Sequence, residues 1–314
     1  MSCKPEAGTP GCFLDTGTVP NERCAAQDRP LVVGSEPTQR WAAVLGSPIR
    51  HSLSPTLHRA AYAALGLTSW RYEAFDCDEA ALPTFLERLG PEWAGLSLTM
   101  PLKRVALTVA DEVSPLASAV GAANTLVLGQ PAGRRAENTD VAGILAALRE
   151  AGLDRVGAAV ILGAGGTAQA ALAALRELGE TTPTVLVRDP ARTTDLRAAA
   201  DRLGVQPTIC GGLSDDAVPE SDVIISTLPP GAADALNCQQ WGAAQWATRP
   251  VVLDVVYTPW PTPLAASALA AGCRIVSGLA VLLHQAVAQV HLMTGRCAPV
   301  TQMRAALDAA VRFR

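Results

Sequence analysis

A chain of 314 residues, 49% of them apolar and 17% charged, can bury a large core and is long enough for two domains. Its 25 basic and 29 acidic residues leave a formal charge of −4 without any Lys/Arg run or basic patch, which argues against a nucleic-acid partner. No apolar run approaches the ~18 residues that span a bilayer, so no membrane role is expected.

Residues 1–40 are rich in Pro, Gly, Thr and Glu and lack helical or strand periodicity, so a disordered extension is expected there. The stretch has neither the apolar core of a secretory signal nor the Arg-rich character of a transit peptide, and a cytoplasmic location is expected. Ala42 to Gly46 reads as a buried strand. In the following HSLSP, Ser54 is expected to cap a helix with Pro55 at its first position and Gly66 closing it. Strands are expected over Trp70–Phe75 and Trp93–Leu98, with a short helix over Ala80–Leu89 between them. Residues 104–120 read as mainly helical, 121–128 as a turn and strand, and 130–135 as a hairpin-like turn. A helix over Val141–Ala151, ended by Gly152, follows Asp140.

The next stretch organises the chain. Ala158 to Leu162 is a short apolar run of the kind buried on both faces of a parallel sheet. Gly163-Ala164-Gly165-Gly166-Thr167-Ala168 follows at once, and then a helix with Ala168, Ala171, Leu172, Leu175 and Leu178 on one face. Glycines in such a turn let a phosphate approach the backbone, and the free N–H groups at the helix start favour an anion. A glycine turn between a buried strand and an amphipathic helix, with the strand Thr184–Val187 behind it, points to dinucleotide binding. Beyond it a helix over 191–203, strands near 205–209, 222–227, 250–257 and 274–276, and helices over 264–271, 279–294 and 301–313 continue the alternation. That alternation argues for an α/β fold built on parallel sheets. Eight scattered cysteines form no CxxC and stand at no metal-ligand spacing from a histidine, so thiols without disulfides or metal are expected. The four histidines read as structural or surface residues.

Polar residues cluster at the predicted strand and turn ends: Ser52 and Ser54 in HSLSP, Thr99 and Lys103 in LTMPLK, Asn124 in GAANTL, Asp140 in ENTD and Gln285 in GLAVLLHQ. Together with GAGGTA, and in this order, these segments over residues 41–312 resemble the shikimate dehydrogenase family. The resemblance implies two α/β domains with a cleft between them: a substrate domain of 41–140 plus 278–314, with a mainly parallel sheet, and a Rossmann-like NADP-binding domain of 141–277. It implies reversible NADPH-dependent reduction of 3-dehydroshikimate to shikimate, a small-molecule substrate, and a monomer or homodimer. Ser52 and Ser54 would hold the substrate carboxylate, Thr99, Asn124, Asp140 and Gln285 its hydroxyls, and Tyr257 would lie near substrate and nicotinamide. Lys103 and Asp140 would be the catalytic pair. Thr227, Val255 and Gly278 join the glycine turn as implied cofactor contacts. Such side chains suit a polyhydroxylated acid, because a site that bonds each hydroxyl leaves polar groups unpaired when one is missing.

The end of the second cofactor strand reads Val187-Arg188-Asp189-Pro190-Ala191-Arg192. An acidic residue there suits the free ribose of NAD, whereas arginines suit the 2′-phosphate of NADP. Arg188 and Arg192 match the family's NADP pattern; Val187 and Asp189 depart from it, and Asp189 either repels a phosphate or caps the next turn. NADP is the favoured cofactor and NAD the alternative. A quinate/shikimate dehydrogenase using NAD, and a non-catalytic metabolite sensor on the same fold, are the rival readings. Val141, where the family commonly has glycine, and Val281, where it often has methionine, are further departures.

Overall fold

A computed structural model describes residues 39–130, 133–211, 220–235 and 246–312. The extension expected over 1–40 lies outside these residues except at its end, where Arg40 already belongs to the first strand.

The first sheet contains β1 (Arg40–Gly46), β2 (Trp70–Asp76), β3 (Trp93–Leu98), β4 (Glu112–Val113), β5 (Thr125–Gln130) and β6 (Gly133–Glu137), in the order β2-β1-β3-β5-β6-β4. β1 pairs in parallel with β2 and β3, and β4 with β6, while β5 runs antiparallel to both β3 and β6. The span expected as a turn over 130–135 is therefore largely strand, because β5 and β6 form a hairpin. Around this sheet lie α1 (Ser54–Ala64), α2 (Leu82–Glu87), α3 (Ala106–Val109) and α4 (Pro115–Val120). The helix expected over 104–120 is broken in two. Ala110 turns extended, and Ser114, extended before Pro115, accepts the Ala117 N–H through its hydroxyl. A residue before proline avoids the helical region, which holds Ser114 extended ahead of the second helix, while the first has already ended at Ala110.

The helix α5 (Asp140–Glu150) leads into the second sheet, made of β7 (Ala159–Leu162), β8 (Thr184–Val187), β9 (Thr208–Gly211), β10 (Val223–Ser226), β11 (Val251–Asp254) and β12 (Arg274–Ser277). Its order is β12-β11-β10-β7-β8-β9 and every pair is parallel. The residues Val223-Ile224-Ile225-Ser226 and Val251-Val252-Leu253-Asp254 are buried throughout, as a sheet covered on both faces requires. The helices α6 (Gly166–Glu177), α7 (Thr194–Leu203) and α8 (Pro263–Ala270) accompany it. A single 3-10 turn, Pro190–Arg192, precedes α7, so the helix predicted from 191 starts three residues later.

Two helices tie the sheets together. α5 begins at the edge of the first sheet, and its Val141, Ile144 and Leu148 pack into the core of α6, β7 and β10. α9 (Gly278–Thr294) begins directly after β12 and carries Leu283, Ala286, Val290 and Met293 back onto the first sheet's core, where α10 (Val300–Arg312) adds Met303 and Leu307. Gly143 lets α5 and α9 approach, since a Cβ there would lie 2.9 Å from the Val281 carbonyl oxygen and 3.0 Å from the Gln285 Cβ. Cys77, Cys210 and Cys273 are free thiols. Cys297 is disulfide-bonded, correcting the expectation of thiols throughout; cysteine spacing along a chain does not report proximity in space.

Candidate active site

Strand register brings the polar segments to one edge. Leu45 of β1 pairs with Leu98 of β3, Ser97 with Thr125 of β5, and Thr125 with Glu137 of β6. The chain leaving β1 carries Ser52 and Ser54, the chain leaving β3 carries Thr99 and Lys103, Asn124 enters β5, and Asn138-Thr139-Asp140 leaves β6. All therefore stand on the same side of the sheet. The loop after β3 is anchored from below by fully buried Leu102. It is held from its neighbours by the Ser47 N–H on the Met100 carbonyl (3.0 Å) and the Ala123 N–H on the Lys103 carbonyl (2.7 Å).

Four of the expected residues form one connected cluster. The Lys103 ammonium lies 2.6 Å from one Asp140 oxygen, with side chains 20% and 11% exposed. Asn124 donates to the other Asp140 oxygen at 2.8 Å. Its amide lies 3.5 Å from the Gln285 oxygen, while the Gln285 amide nitrogen donates to Leu282 O of its own helix at 2.9 Å. Asn124 is itself fixed, its oxygen accepting the Thr139 N–H (2.8 Å) and the Thr125 hydroxyl (3.0 Å). Asp140 thus presents a fully paired carboxylate at the start of α5, where the helix end favours negative charge. It is not the cap of that helix: Thr139 is the N-cap residue, and Asn138 before it accepts the Val141 N–H through its side-chain oxygen at 3.2 Å. Asn138, Thr139 and Thr125 were not singled out in the sequence, although Asn138 and Thr139 stand inside the ENTD segment beside Asp140.

The serine pair is arranged differently from the expected cap. Leu53 is the N-cap of α1 without a side-chain bond, and the Ser54 N–H donates to the Ser52 hydroxyl at 3.3 Å. Thr99 sits over Gly46, where a Cβ would collide with the Thr99 methyl. Tyr257, on the loop after β11, packs against the first sheet's core with Leu279 and Leu282. Among the described residues, Ser52, Ser54 and Thr99 make no hydrogen bond to the Lys103–Asp140 cluster.

The second sheet repeats the arrangement. Leu162 pairs with Leu186 and with Ser226, Ser226 with Asp254, and Asp254 with Ser277. Gly163, Arg188, Thr227, Val255 and Gly278 consequently follow their strands at one edge, where dinucleotides bind in such sheets. Gly163 has φ of +103°, a conformation that suits glycine, and an added Cβ would lie 2.8 Å from the Thr227 hydroxyl. Gly165 caps α6 with extended backbone, and an added Cβ there would meet nothing within 4 Å. Bare backbone facing open space at a helix start fits a pyrophosphate. The turn also reaches the Lys103–Asp140 pair: a Cβ on Gly166 would stand 3.9 Å from the Lys103 Cδ. Arg188 and Arg192 are exposed after β8, and the Asp189 carboxylate accepts the Ala191 N–H at 2.9 Å, capping the 3-10 turn. Among the described residues no group of His, Cys, Asp and Glu could hold a metal ion, and no helix is long and apolar enough to cross a membrane.

Comparison with known proteins agrees with this geometry. Residues 44–126 match the shikimate dehydrogenase substrate binding domain and residues 278–307 the shikimate 5′-dehydrogenase C-terminal domain. The NADP(+) shikimate dehydrogenase of Moorella thermoacetica is 38% identical over 282 residues, 86% of this chain and 92% of that protein. The crystal structure of Mycobacterium tuberculosis shikimate dehydrogenase superposes with a TM-score of 0.77 at 47% identity, over 86% of this chain and 99% of that one. The Thermus thermophilus enzyme in complex with NADP(H) and shikimate superposes at 0.72 and 31% identity, over 86% and 99%. The chain belongs to the shikimate dehydrogenase family.

Proposed function

We propose that this protein catalyses the reversible NADPH-dependent reduction of 3-dehydroshikimate to shikimate, with Lys103 and Asp140 as its catalytic pair. The observation that carries the reading is the 2.6 Å ammonium–carboxylate pair set beside the glycine turn of a dinucleotide crevice. In this reading residues 41–140 and 278–314 bind the acid and 141–277 bind NADP. Two water-soluble metabolites suit the cytoplasm, where the protein acts as a monomer or homodimer.

NADPH, when bound, supplies the hydride. Lys103 stands where it can give a proton to the oxygen that gains charge as the ketone is reduced, and take it back in the reverse direction. Asp140 holds the ammonium in place and, with Asn124, offers polar atoms to the adjacent hydroxyls. The hydroxyls of Ser52 and Ser54 serve the substrate carboxylate; Thr99 and Gln285 complete the hydroxyl contacts, and Tyr257 closes the nicotinamide side. At the other end of the cofactor, Arg188 and Arg192 supply charge for a 2′-phosphate. Asp189 is turned to capping. Gly163 to Ala168 cradle the pyrophosphate, with Thr227, Val255 and Gly278 along the crevice.

Absorbance at 340 nm with shikimate or quinate, each with NADP+ or NAD+, tests the reading. Turnover should be highest with shikimate and NADP+. No turnover with any combination, or a clear preference for NAD+ or quinate, overturns it.

A further inference from the structure

Among the titratable groups outside the site that have no exposed surface is His58, on α1. Its ring stacks on Tyr72, with centroids 3.9 Å apart and planes 15° from parallel, and meets the edge of Tyr62. Its Nε2 lies 3.3 Å from the Gln289 side-chain oxygen and its Nδ1 3.5 Å from the Tyr62 hydroxyl. An amide oxygen only accepts, so Nε2 carries the proton and Nδ1 is left to accept. Gln289, on α9 and 1% exposed, takes a second donor on the same oxygen, the Ser97 hydroxyl at 2.8 Å, and Ser97 in turn accepts from Tyr72 at 2.6 Å.

Two donors on its oxygen leave the Gln289 amide only one orientation. Its nitrogen then faces β5, donating to Thr125 Oγ1 at 3.0 Å and to the Asn124 carbonyl at 3.3 Å. The Thr125 hydroxyl, accepting from Gln289, gives its one proton to the Asn124 side-chain oxygen at 3.0 Å, beside the Thr139 N–H at 2.8 Å. That leaves the Asn124 nitrogen for Asp140 Oδ1 at 2.8 Å, and Asp140 holds Lys103. The donors run in one direction from the core histidine as far as Asp140, which accepts from Asn124 on one oxygen and from the Lys103 ammonium on the other. Buried networks of this kind gain strength when every member is satisfied.

We propose that His58 and Gln289 are positioning residues for the reaction: without reaching the substrate, they set the orientation of Thr125 and Asn124, and through them that of the Asp140–Lys103 pair. The proposal rests on the assignment of Lys103 and Asp140 as the catalytic pair.

The test uses the full-length enzyme with Gln289→Leu, Thr125→Val, His58→Phe, His58→Gln and, as a check on the underlying assignment, Lys103→Ala. NADP+ affinity and thermal midpoint are measured for each beside steady-state kinetics on shikimate. Gln289→Leu and His58→Phe should lower kcat roughly 10–100-fold and shift the pH profile of kcat, with NADP+ affinity within about two-fold of the parent. Thr125→Val, which removes only one hydroxyl, should lower kcat in the same direction. His58→Gln, which can still donate to the Gln289 oxygen, should recover most of the loss. The proposal is overturned if folded Gln289→Leu and Thr125→Val keep kcat within two-fold and an unchanged pH profile. It is overturned equally if NADP+ affinity falls in step with kcat, since that marks a general loss of structure. Should His58→Phe not fold, Gln289→Leu and Thr125→Val decide alone. Near-normal turnover in Lys103→Ala would instead remove the catalytic assignment itself, an outcome separate from the failure of the buried relay.

Discussion

At the scale of single residues, the ion pair and the buried histidine make opposite demands. The Lys103–Asp140 pair is mostly shielded from water, and Asp140 spends both oxygens on donors. Lys103→Ala removes a proton donor while leaving the serine and threonine contacts intact, so turnover should fall by roughly 10²–10⁴ with a smaller change in substrate KM, measured by steady-state kinetics. In the proposed reading, Arg188 and Arg192 act only on the 2′-phosphate of the cofactor. Replacing both by Ala should raise the KM for NADP+ about ten-fold or more and leave that for NAD+ nearly unchanged. His58, by contrast, must stay neutral: burial pushes its value down to about 3 from an ordinary 6.5. The unfolded chain then binds a proton that the folded one refuses. The contribution of neutral His58 to stability is fully present above pH 6.5 and is lost as pH falls from there toward 3, at up to about 1.4 kcal/mol per pH unit. Urea titrations across that window should show a flatter pH dependence for His58→Phe than for the parent.

At the scale of elements, two helices carry the geometry from sheet to sheet. The approach of α5 to α9 depends on a glycine at 143, whose absent side chain leaves room for the Val281 carbonyl and the Gln285 Cβ. Gly143→Ala puts a methyl group against backbone, which cannot give way as a flexible side chain does. A loss of about 1–3 kcal/mol is expected, read as a fall in thermal midpoint, with a raised KM for shikimate because Gln285 moves with α9. This element-level dependence was only partly legible beforehand. The helix over 141–151 and the break near Gly278 are visible from periodicity and glycine placement, but which residues of two helices touch depends on their rotation and crossing. The stretch over 104–120 differs from expectation for another reason: the first helix ends at Ala110, and a short strand pairs with β6 before Pro115 opens the second.

For the whole molecule, contacts between the two sheets' surroundings govern how the glycine turn meets the lysine. Arg104, the neighbour of Lys103, makes a two-pronged ion pair with Asp195 of α7, one contact at 2.8 Å, and Arg202 of the same helix donates to the Ala119 carbonyl at 3.0 Å. The Arg104–Asp195 pair is about half exposed, so its worth is at most about 1 kcal/mol and falls with salt. Arg104→Ala should therefore raise KM for both substrates no more than about five-fold, and added salt should narrow the difference between variant and parent.

The order of segments along the chain was enough to indicate an α/β fold and a dinucleotide turn, while the candidate polar residues came from the family resemblance. Those features are local: a buried strand, a glycine that tolerates φ of +103° and a helix start are each written in a few adjacent residues. The antiparallel pairing of β5 with β3, the capping of α1 by neither serine, and the bond from the Val141 N–H to the Asn138 side chain belong to the folded state. So does the line from His58 through Gln289 and Thr125 to Asn124, whose members are drawn from residues as far apart as 58 and 289. Hydrogen bonds across such separations are set by strand register and helix packing, and neither has a signature in neighbouring residues.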